Sequence, residues 1–154
     1  MKISKYVSER DISKEWESIC EARNRTIIEK KDVSLLYVTA PCIINNVKND
    51  LPTKILDVGC GTGYLTNQLS DFVDKCYGID ISKKSIEIAR KQYCKNNLTF
   101  LHANINDFSH KEEFDSCVSN MVLMTDPEWM KSLSNIYRVL YPKGTLFIMI
   151  THPC

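Results

Sequence analysis

The sequence predicts an α/β protein built on a doubly wound, mainly parallel sheet. From residue 54 onward, short apolar runs alternate with stretches whose apolar residues recur at helical spacing. Strands that alternate with helices imply right-handed crossovers, which place parallel strands in one sheet with helices on its faces. The 154 residues, 44% of them hydrophobic, are enough for one domain with a substantial core.

Five apolar runs have the length and composition of strands. The first ends at Gly59, and the last follows the predicted turn Pro142-Lys143-Gly144. The predicted strands are 54–58, 76–80, 98–101, 114–118 and 145–150.

Three helices are predicted between these strands. Ser82 is a suitable N-cap for the second, and Asp126-Pro127 begins the third with Asp as the cap and Pro at the first helical position. Their predicted apolar faces are Leu65, Leu69 and Phe72; Ile86, Ala89 and Tyr93; and Met130, Leu133, Ile136, Tyr137 and Leu140.

The first fifty residues carry no strand pattern. Two amphipathic helices are predicted there, the second starting at Pro41 and the first presenting the face Ile12, Trp16, Ile19, Cys20 and Arg23. We expect residues 1–50 to form a helical lid segment over the mouth of the sheet. Residues 51–154 then form the ligand-binding α/β core of a single structural domain.

Composition limits the partners. The 20 basic and 19 acidic residues give a net charge of +1, which provides no general attraction to nucleic acid or to an anionic membrane. No apolar run reaches the length of a membrane span. The seven cysteines show neither a CxxC pair nor zinc-ligand spacing, so we expect mostly buried free thiols, no metal site and a cytoplasmic location.

The most informative segment is Asp57-Val58-Gly59-Cys60-Gly61-Thr62-Gly63, which joins the first predicted strand to a helix. Glycines in such a turn let the backbone approach a ligand and point its N–H groups at it. Asp80 ends the next strand, where a carboxylate can accept ribose hydroxyls. The dinucleotide fingerprint and the P-loop are both absent, and Asp57 would suit a cationic ligand better than a pyrophosphate.

This segment resembles motif I of the class I S-adenosylmethionine-dependent methyltransferases. The resemblance continues through Tyr77-Gly78-Ile79-Asp80-Ile81-Ser82 and Phe114-Asp115 to the fifth strand, and covers roughly residues 35 to 151. It implies a Rossmann-like sheet with strand order 3-2-1-4-5. Members of this family normally continue with another helix and two more strands, so the chain resembles a member truncated after the fifth strand, with strands six and seven absent.

The resemblance also implies S-adenosylmethionine as cofactor and assigns positions to it. The loop backbone and Asp57 would meet the methionyl part, with Asp57 holding the ammonium group. Asp80 would bind the ribose, and Ile81 and the residues after the third strand would contact adenine. The implied cofactor residues are Asp57, Gly59, Cys60, Gly61, Asp80, Ile81, Asn104, Ile105 and Asn120.

Four more residues are candidates by position. Tyr6 and Trp16 are either plain aromatics or part of the lid, and Met121 belongs to an apolar rim after the fourth strand. His152 follows the fifth strand at the expected catalytic rim, where it would orient or deprotonate an acceptor. A lone histidine is more often structural.

The predicted function is methyl transfer to a small organic acceptor or natural product. A sulfonium methyl is already activated, so positioning matters more than a dedicated nucleophile. The rim Ser119-Asn120-Met121-Val122-Leu123-Met124 lacks the Asn/Asp-Pro-Pro-aromatic motif of enzymes that methylate adenine or glutamine amino groups. The alternative is a non-catalytic cofactor-binding module or a subunit completed by a partner chain; Tyr64 disfavours a nicotinamide-dependent oxidoreductase.

The fifth strand adds a prediction about assembly. As the last strand, it would leave an apolar edge without a neighbour, and such edges associate. We therefore expect a homo-oligomer or a partner protein that pairs with this edge.

Overall fold

A computed structural model describes residues 8–109 and 113–151. Its five strands form one sheet of parallel neighbours in the order β3-β2-β1-β4-β5, which confirms the predicted fold class and strand order. The strands are β1 (Lys54–Val58), β2 (Lys75–Asp80), β3 (Leu98–His102), β4 (Phe114–Asn120) and β5 (Leu140–Met149). The α-helices are α1 (Glu9–Ile28), α2 (Ala40–Asp50), α3 (Tyr64–Leu69), α4 (Lys83–Gln92) and α5 (Trp129–Val139).

Helices cover both faces of the sheet. On one face, α2 and α3 pack around Ile55 and Leu69, and α4 packs against Phe100. On the other face, α5 places Ile136 against Leu56 of β1. Because both faces are covered, the open carboxyl ends of the strands are where loops meet and a ligand can enter.

The second N-terminal helix starts earlier than predicted. A π-helical turn, Leu35–Thr39, runs directly into α2, so Pro41 lies inside a continuous helical segment. Proline lacks an N–H, and its ring clashes with the carbonyl four residues earlier in a regular α-helix. The wider π turn directly before Pro41 relieves that conflict.

The last helix starts later than predicted, at Trp129 rather than Pro127. The Asp126 carboxylate accepts a hydrogen bond from the backbone N–H of Glu128 at 2.8 Å and another from the hydroxyl of Ser132. Asp126 therefore closes a separate turn before α5, and it does not act as the helix cap.

The last strand begins five residues earlier than predicted, at Leu140. Phe114 and Ser116 are two positions apart on β4, yet they pair with Leu140 and Thr145 of β5. The extra residues of β5 form a bulge in which Lys143 has a φ of 70°. The predicted turn at 142–144 is thus a bulge within the strand.

Four side chains that were predicted on buried helix faces are exposed. They are Ile19 (38%), Phe72 (42%), Met130 (69%) and Tyr137 (81%). Periodicity places each of them near an apolar stripe, but on α5 the buried face is formed by Ser132, Ile136 and Val139 instead. Phe72 lies in a 3₁₀ turn, where the ammonium group of Lys48 is 4.0 Å from the centre of its ring.

Candidate active site

A cavity of about 410 Å³ lies at the carboxyl ends of β1, β2 and β4, within the size range of small-ligand sites. Every cofactor and lid candidate in the described part of the chain lines this cavity: Trp16, Asp57, Gly59, Cys60, Gly61, Asp80, Ile81, Asn104, Ile105, Asn120 and Met121. The structure therefore brings residues from five separate segments into one site. Tyr6 and His152 lie outside the described residues.

The loop after β1 turns tightly because three of its glycines have positive φ: 74° at Gly59, 55° at Gly61 and 87° at Gly63. A Cβ on Gly59 would be 2.3 Å from a methyl group of Val122, and one on Gly63 would be 2.7 Å from the ring of Phe100. A Cβ on Gly61 would meet nothing within 4 Å. Gly59 and Gly63 are thus needed for packing, whereas Gly61 leaves open space beside the backbone on the cavity side.

Asp57 is buried near the end of β1, with 1% of the residue exposed. The hydroxyl of Thr66 donates to its Oδ2 at 2.7 Å and fixes the carboxyl group. Burial raises the pKa of Asp57 from its ordinary value of 3.8 to about 7, although the Thr66 hydrogen bond opposes the shift. A cation bound in the cavity would lower this pKa, so the site is suited to a positively charged group.

Asp80 ties the loop after β1 to the end of β2. Its Oδ2 accepts the backbone N–H of Gly61 and its Oδ1 accepts that of Ser82, both at 2.8 Å. Burial raises the pKa of this carboxyl group, and the two backbone hydrogen bonds partly offset the effect. A carboxylate has about four acceptor positions, so two remain for hydroxyl groups of a ligand.

The adenine candidates lie beside a short 3₁₀ turn, Ile105–Asp107, after β3. The Asn104 side chain caps this turn, because its Oδ1 accepts the backbone N–H of Asn106 at 2.9 Å. Ile105 is 6% exposed and presents an apolar surface to the cavity. The side-chain oxygen of Asn104 therefore holds the turn that borders the cavity.

Asn120, at the end of β4, supplies a buried acceptor. Its Nδ2 donates to the hydroxyl of Thr39 at 3.3 Å, which links β4 to the N-terminal helices. Its Oδ1 is buried and has no hydrogen-bond partner among the described residues. A buried acceptor without a partner is costly, so this oxygen fits a ligand that brings an N–H donor.

Comparison with known proteins places this site in a family. Residues 56–148, well over half of the chain, match the protein family described as "Methyltransferase domain". The chain belongs to this methyltransferase family. The match agrees with the resemblance to class I methyltransferases that the glycine-rich segment predicts.

Two curated methyltransferases and one solved structure illustrate the similarity. A demethylmenaquinone methyltransferase of Lactococcus lactis is 36% identical over 108 residues, covering 65% of this chain and 43% of the relative. A malonyl-[acyl-carrier protein] O-methyltransferase of Priestia megaterium is 32% identical over 98 residues, covering 60% and 34%. The DhpI-SAM-HEP complex is similar in fold, with a TM-score of 0.73 at 19% identity over 94% of this chain and 66% of that one.

The matched region spans less than half the length of these two curated methyltransferases.

Several further residues of this methyltransferase chain line the cavity and were not predicted as site residues, among them Arg23, Asp32 and Thr39. Arg23 and Asp32 form an ion pair of 3.4 Å across the end of α1, and Thr39 supports Asn120. Arg23 is a cation within the predicted apolar face of α1. Its position on that face was the sequence feature that could have marked Arg23 as a site residue, since an amphipathic helix normally places a cation on its polar face.

The remaining lid and rim candidates are placed as follows. Trp16 is half-buried on α1, 5.8 Å from its ring centre to the Arg23 guanidinium. Met121 has a φ of 62°, and its backbone N–H donates to the carbonyl of Met149 at 2.8 Å. The sheet thus holds a non-glycine residue in the left-handed region beside the cavity, a conformation that is often found at ligand sites.

Membrane and metal features were also searched within residues 8–109 and 113–151. No helix there is both long and apolar enough to cross a membrane. No group of three or more His, Cys, Asp or Glu side chains in these ranges is arranged to hold a metal ion. The described cysteines are free thiols. Cys20, Cys76 and Cys117 are buried, Cys60 is partly buried, and Cys42 and Cys94 are exposed, so fewer are buried than predicted.

Proposed function

We propose that the chain binds S-adenosylmethionine in this cavity and transfers its methyl group to a small organic acceptor. One observation carries the proposal: all eleven described candidate residues line a single cavity at the carboxyl edge of the sheet. The family match supports the same chemistry, because it covers the three strand ends that form the cavity.

The residues present fit this cofactor group by group. The ionisable Asp57 suits an ammonium group, and the buried Oδ1 of Asn120 suits an N–H donor on the same side of the cavity. The remaining acceptor positions of Asp80 suit the two ribose hydroxyls. The space beside Gly61 lets the ligand lie against the backbone, as a cofactor that crosses the loop requires.

The chemistry depends on positioning and on excluding water. When bound, S-adenosylmethionine supplies an activated sulfonium methyl group. Met121, Val122 and Met124 form an apolar rim beside Asn120, and Trp16 covers the opposite side from α1. These side chains keep water away from the reacting region and orient an acceptor.

The acceptor is proposed to be small and largely apolar, since the rim after β4 offers it methionine and valine side chains and no cation. In this account residues 1–50 act as the lid, because α1 and the π turn supply the wall opposite the sheet. His152 remains a proposed base or orienting group for acceptors that must lose a proton.

A second candidate function is a cofactor-binding subunit that needs another chain for turnover. The position of β5 favours it: among the described residues this strand lies at the edge of the sheet, where a second chain can pair with it.

The edge of β5 is the proposed contact for another copy or a partner protein. Among the described residues, β5 pairs only with β4, and its side chains from Leu146 to Met149 are apolar towards both faces of the sheet. A strand of this composition is typical of a sheet interior rather than an edge.

A cytoplasmic location is also part of the proposal, supported by the free cysteines.

The test combines binding with turnover. Calorimetry with S-adenosylmethionine and S-adenosylhomocysteine, followed by transfer of labelled methyl groups to an acceptor panel, separates the two functions. Gly61→Val should abolish binding because it fills the open space, whereas Lys143→Val places a branched residue at a similar positive φ outside the cavity and should not. Binding with turnover only after a second protein is added supports the subunit; no binding by the unmodified chain contradicts both functions.

A further inference from the structure

The charges around the cavity are unevenly distributed. In the described part of the chain, Arg23 is the one basic residue among the lining side chains, against four acids: Asp32, Asp57, Asp80 and Asp126. Asp126 is engaged with the turn before α5, and Asp80 holds two backbone N–H groups. Among the charged side chains described around the cavity, Arg23 is therefore the one that attracts an anionic group of a ligand.

The Arg23 side chain is oriented and still has donors to offer. Its Nη2 lies 3.4 Å from Oδ2 of Asp32, whose Oδ1 accepts the backbone N–H of Leu35 at 3.0 Å. Asp32 is therefore fixed by the helical segment it caps, and it holds one terminal nitrogen of the guanidinium. A guanidinium carries five N–H donors in a planar fork, which matches a carboxylate with two parallel hydrogen bonds. The Arg23 side chain is 49% exposed, so a ligand can reach it.

The course of α1 places Arg23 at one end of the ligand. Near the start of α1, the Ser13 hydroxyl donates to the carbonyl of Ile81 at 3.0 Å, beside the proposed adenine position. Arg23 lies ten residues further along, which is about 15 Å at the rise of an α-helix. There α1 approaches Asp32 and the π turn, and the π turn contacts Asn120 through Thr39. Arg23 thus lies over the half of the cavity that contains Asn120.

We propose that Arg23 binds the carboxylate of the cofactor's methionyl group. This inference rests on the proposed function and extends it: Asp57 of β1 and Arg23 of α1, which line the same cavity, together recognise both charges of an amino acid group. The cavity then selects a nucleoside that carries a complete zwitterion over one that lacks the carboxylate. The same contact links α1 to the bound cofactor, so the cofactor itself holds the lid segment in place.

The test uses two ligands that differ in one group. S-adenosylhomocysteine and S-adenosyl-3-thiopropylamine share the nucleoside, the sulfur and the amine, and only the first has the carboxylate. By calorimetry, we expect the unmodified chain to bind S-adenosylhomocysteine about 10- to 100-fold more tightly, the range for hydrogen bonds to a charged partner. Arg23→Gln should reduce this ratio to near one while leaving the affinity for the thiopropylamine almost unchanged.

Two further variants separate this role from a structural one. Asp32→Asn keeps an oxygen to cap Leu35 but weakens the ion pair, so the ratio should persist or increase. Arg23→Lys keeps the charge without the fork and should give an intermediate ratio, which also covers the case in which Arg23→Gln does not fold. An unchanged ratio in Arg23→Gln, or an equal loss for both ligands, overturns the assignment while the proposed function stands. If the unmodified chain binds neither ligand, the proposed function fails as well.

Discussion

At the scale of residues, the site depends on two carboxylates whose surroundings differ. Asp57 is buried with a single hydroxyl donor, whereas Asp80 accepts two backbone N–H groups. Asp57 is suited to bind a cationic group of a ligand. Asp80 holds the loop after β1, and its remaining lone pairs can accept hydrogen bonds from a ligand. The sequence predicted both residues as ligand contacts, but not that Asp80 also holds the loop at Gly61, because that bond depends on how the two loops meet.

Asp80→Ala should weaken the binding of S-adenosylhomocysteine by roughly 1.5–3 kcal/mol, since it removes charge-assisted hydrogen bonds. Calorimetry measures the loss. Because Asp80 also holds Gly61 and Ser82, the same variant should be titrated with the 2′,3′-dideoxy analogue of the ligand. A much smaller loss for that analogue supports the ribose contact; equal losses mean that Asp80 only shapes the loop.

Binding of the cofactor should depend on pH through Asp57. Its pKa is about 7 in the ligand-free protein, so the carboxyl is largely protonated at pH 5.5 and must release a proton to hold an ammonium group. Affinity for S-adenosylhomocysteine should therefore rise between pH 5.5 and 7, in which range the ligand amine stays protonated. Asp57→Asn should give a weak, nearly flat profile; a flat profile for the unmodified chain would contradict the ammonium contact.

The same shift has a defined effect on the stability of the ligand-free protein. Because the folded-state pKa of about 7 exceeds the ordinary value of 3.8, the folded state binds more protons between these values. Stability contributed by Asp57 is complete below the lower pKa and is lost as the pH rises through the higher one. Denaturant titrations of the unmodified chain and of Asp57→Asn should therefore diverge as the pH rises from 4 to about 7.

At the scale of elements, apolar periodicity was sufficient to predict the strands of the sheet and the helices around it. Boundaries were less accurate where they depend on distant contacts. The start of α5 is moved by the Ser132 hydroxyl that bonds to Asp126, and the bulge in β5 depends on its pairing with β4. The π turn before Pro41 follows from a local conflict, but its position depends on packing against the sheet.

The end of α2 offers a test of backbone strain. Leu51 caps this helix with a φ of 53°, and its side chain is 78% exposed. Leu51→Gly should stabilise the fold by about 0.5–1 kcal/mol, because glycine adopts this conformation without a steric cost. Thermal unfolding should show a rise of a few degrees. Leu51→Ala keeps the Cβ and should show no gain; a gain of equal size in both variants would mean that removal of the exposed side chain is responsible.

At the scale of the whole molecule, the resemblance predicted which residues would meet in one cavity, and the structure places all the described ones there. It did not predict Arg23 and Asp32 as site residues. Their position depends on how α1 lies across the sheet, and that is determined by contacts such as Ser13 with Ile81 and Glu21 with Lys84. The sequence of α1 alone carries no information on those contacts.

Association through β5 is the prediction that belongs to the assembled molecule. Ile148 is 44% exposed on this strand, and a lysine there should oppose pairing with another strand. Ile148→Lys should shift the chain from a larger species to a monomer in light scattering after size exclusion. Tyr137→Lys changes an exposed residue on α5 rather than on the strand itself, and should leave the mass unchanged. A monomeric unmodified chain would contradict the proposed contact between copies.

The central claim is that the cavity above β1, β2 and β4 holds the cofactor. A crystal structure of the chain with S-adenosylhomocysteine tests it most directly. We predict ribose density beside Asp80, adenine beside Ile81 and Ile105, and the amino acid group between Asp57 and Asn120. Ligand density at any other place on the molecule, with this cavity filled only by solvent, would contradict the account.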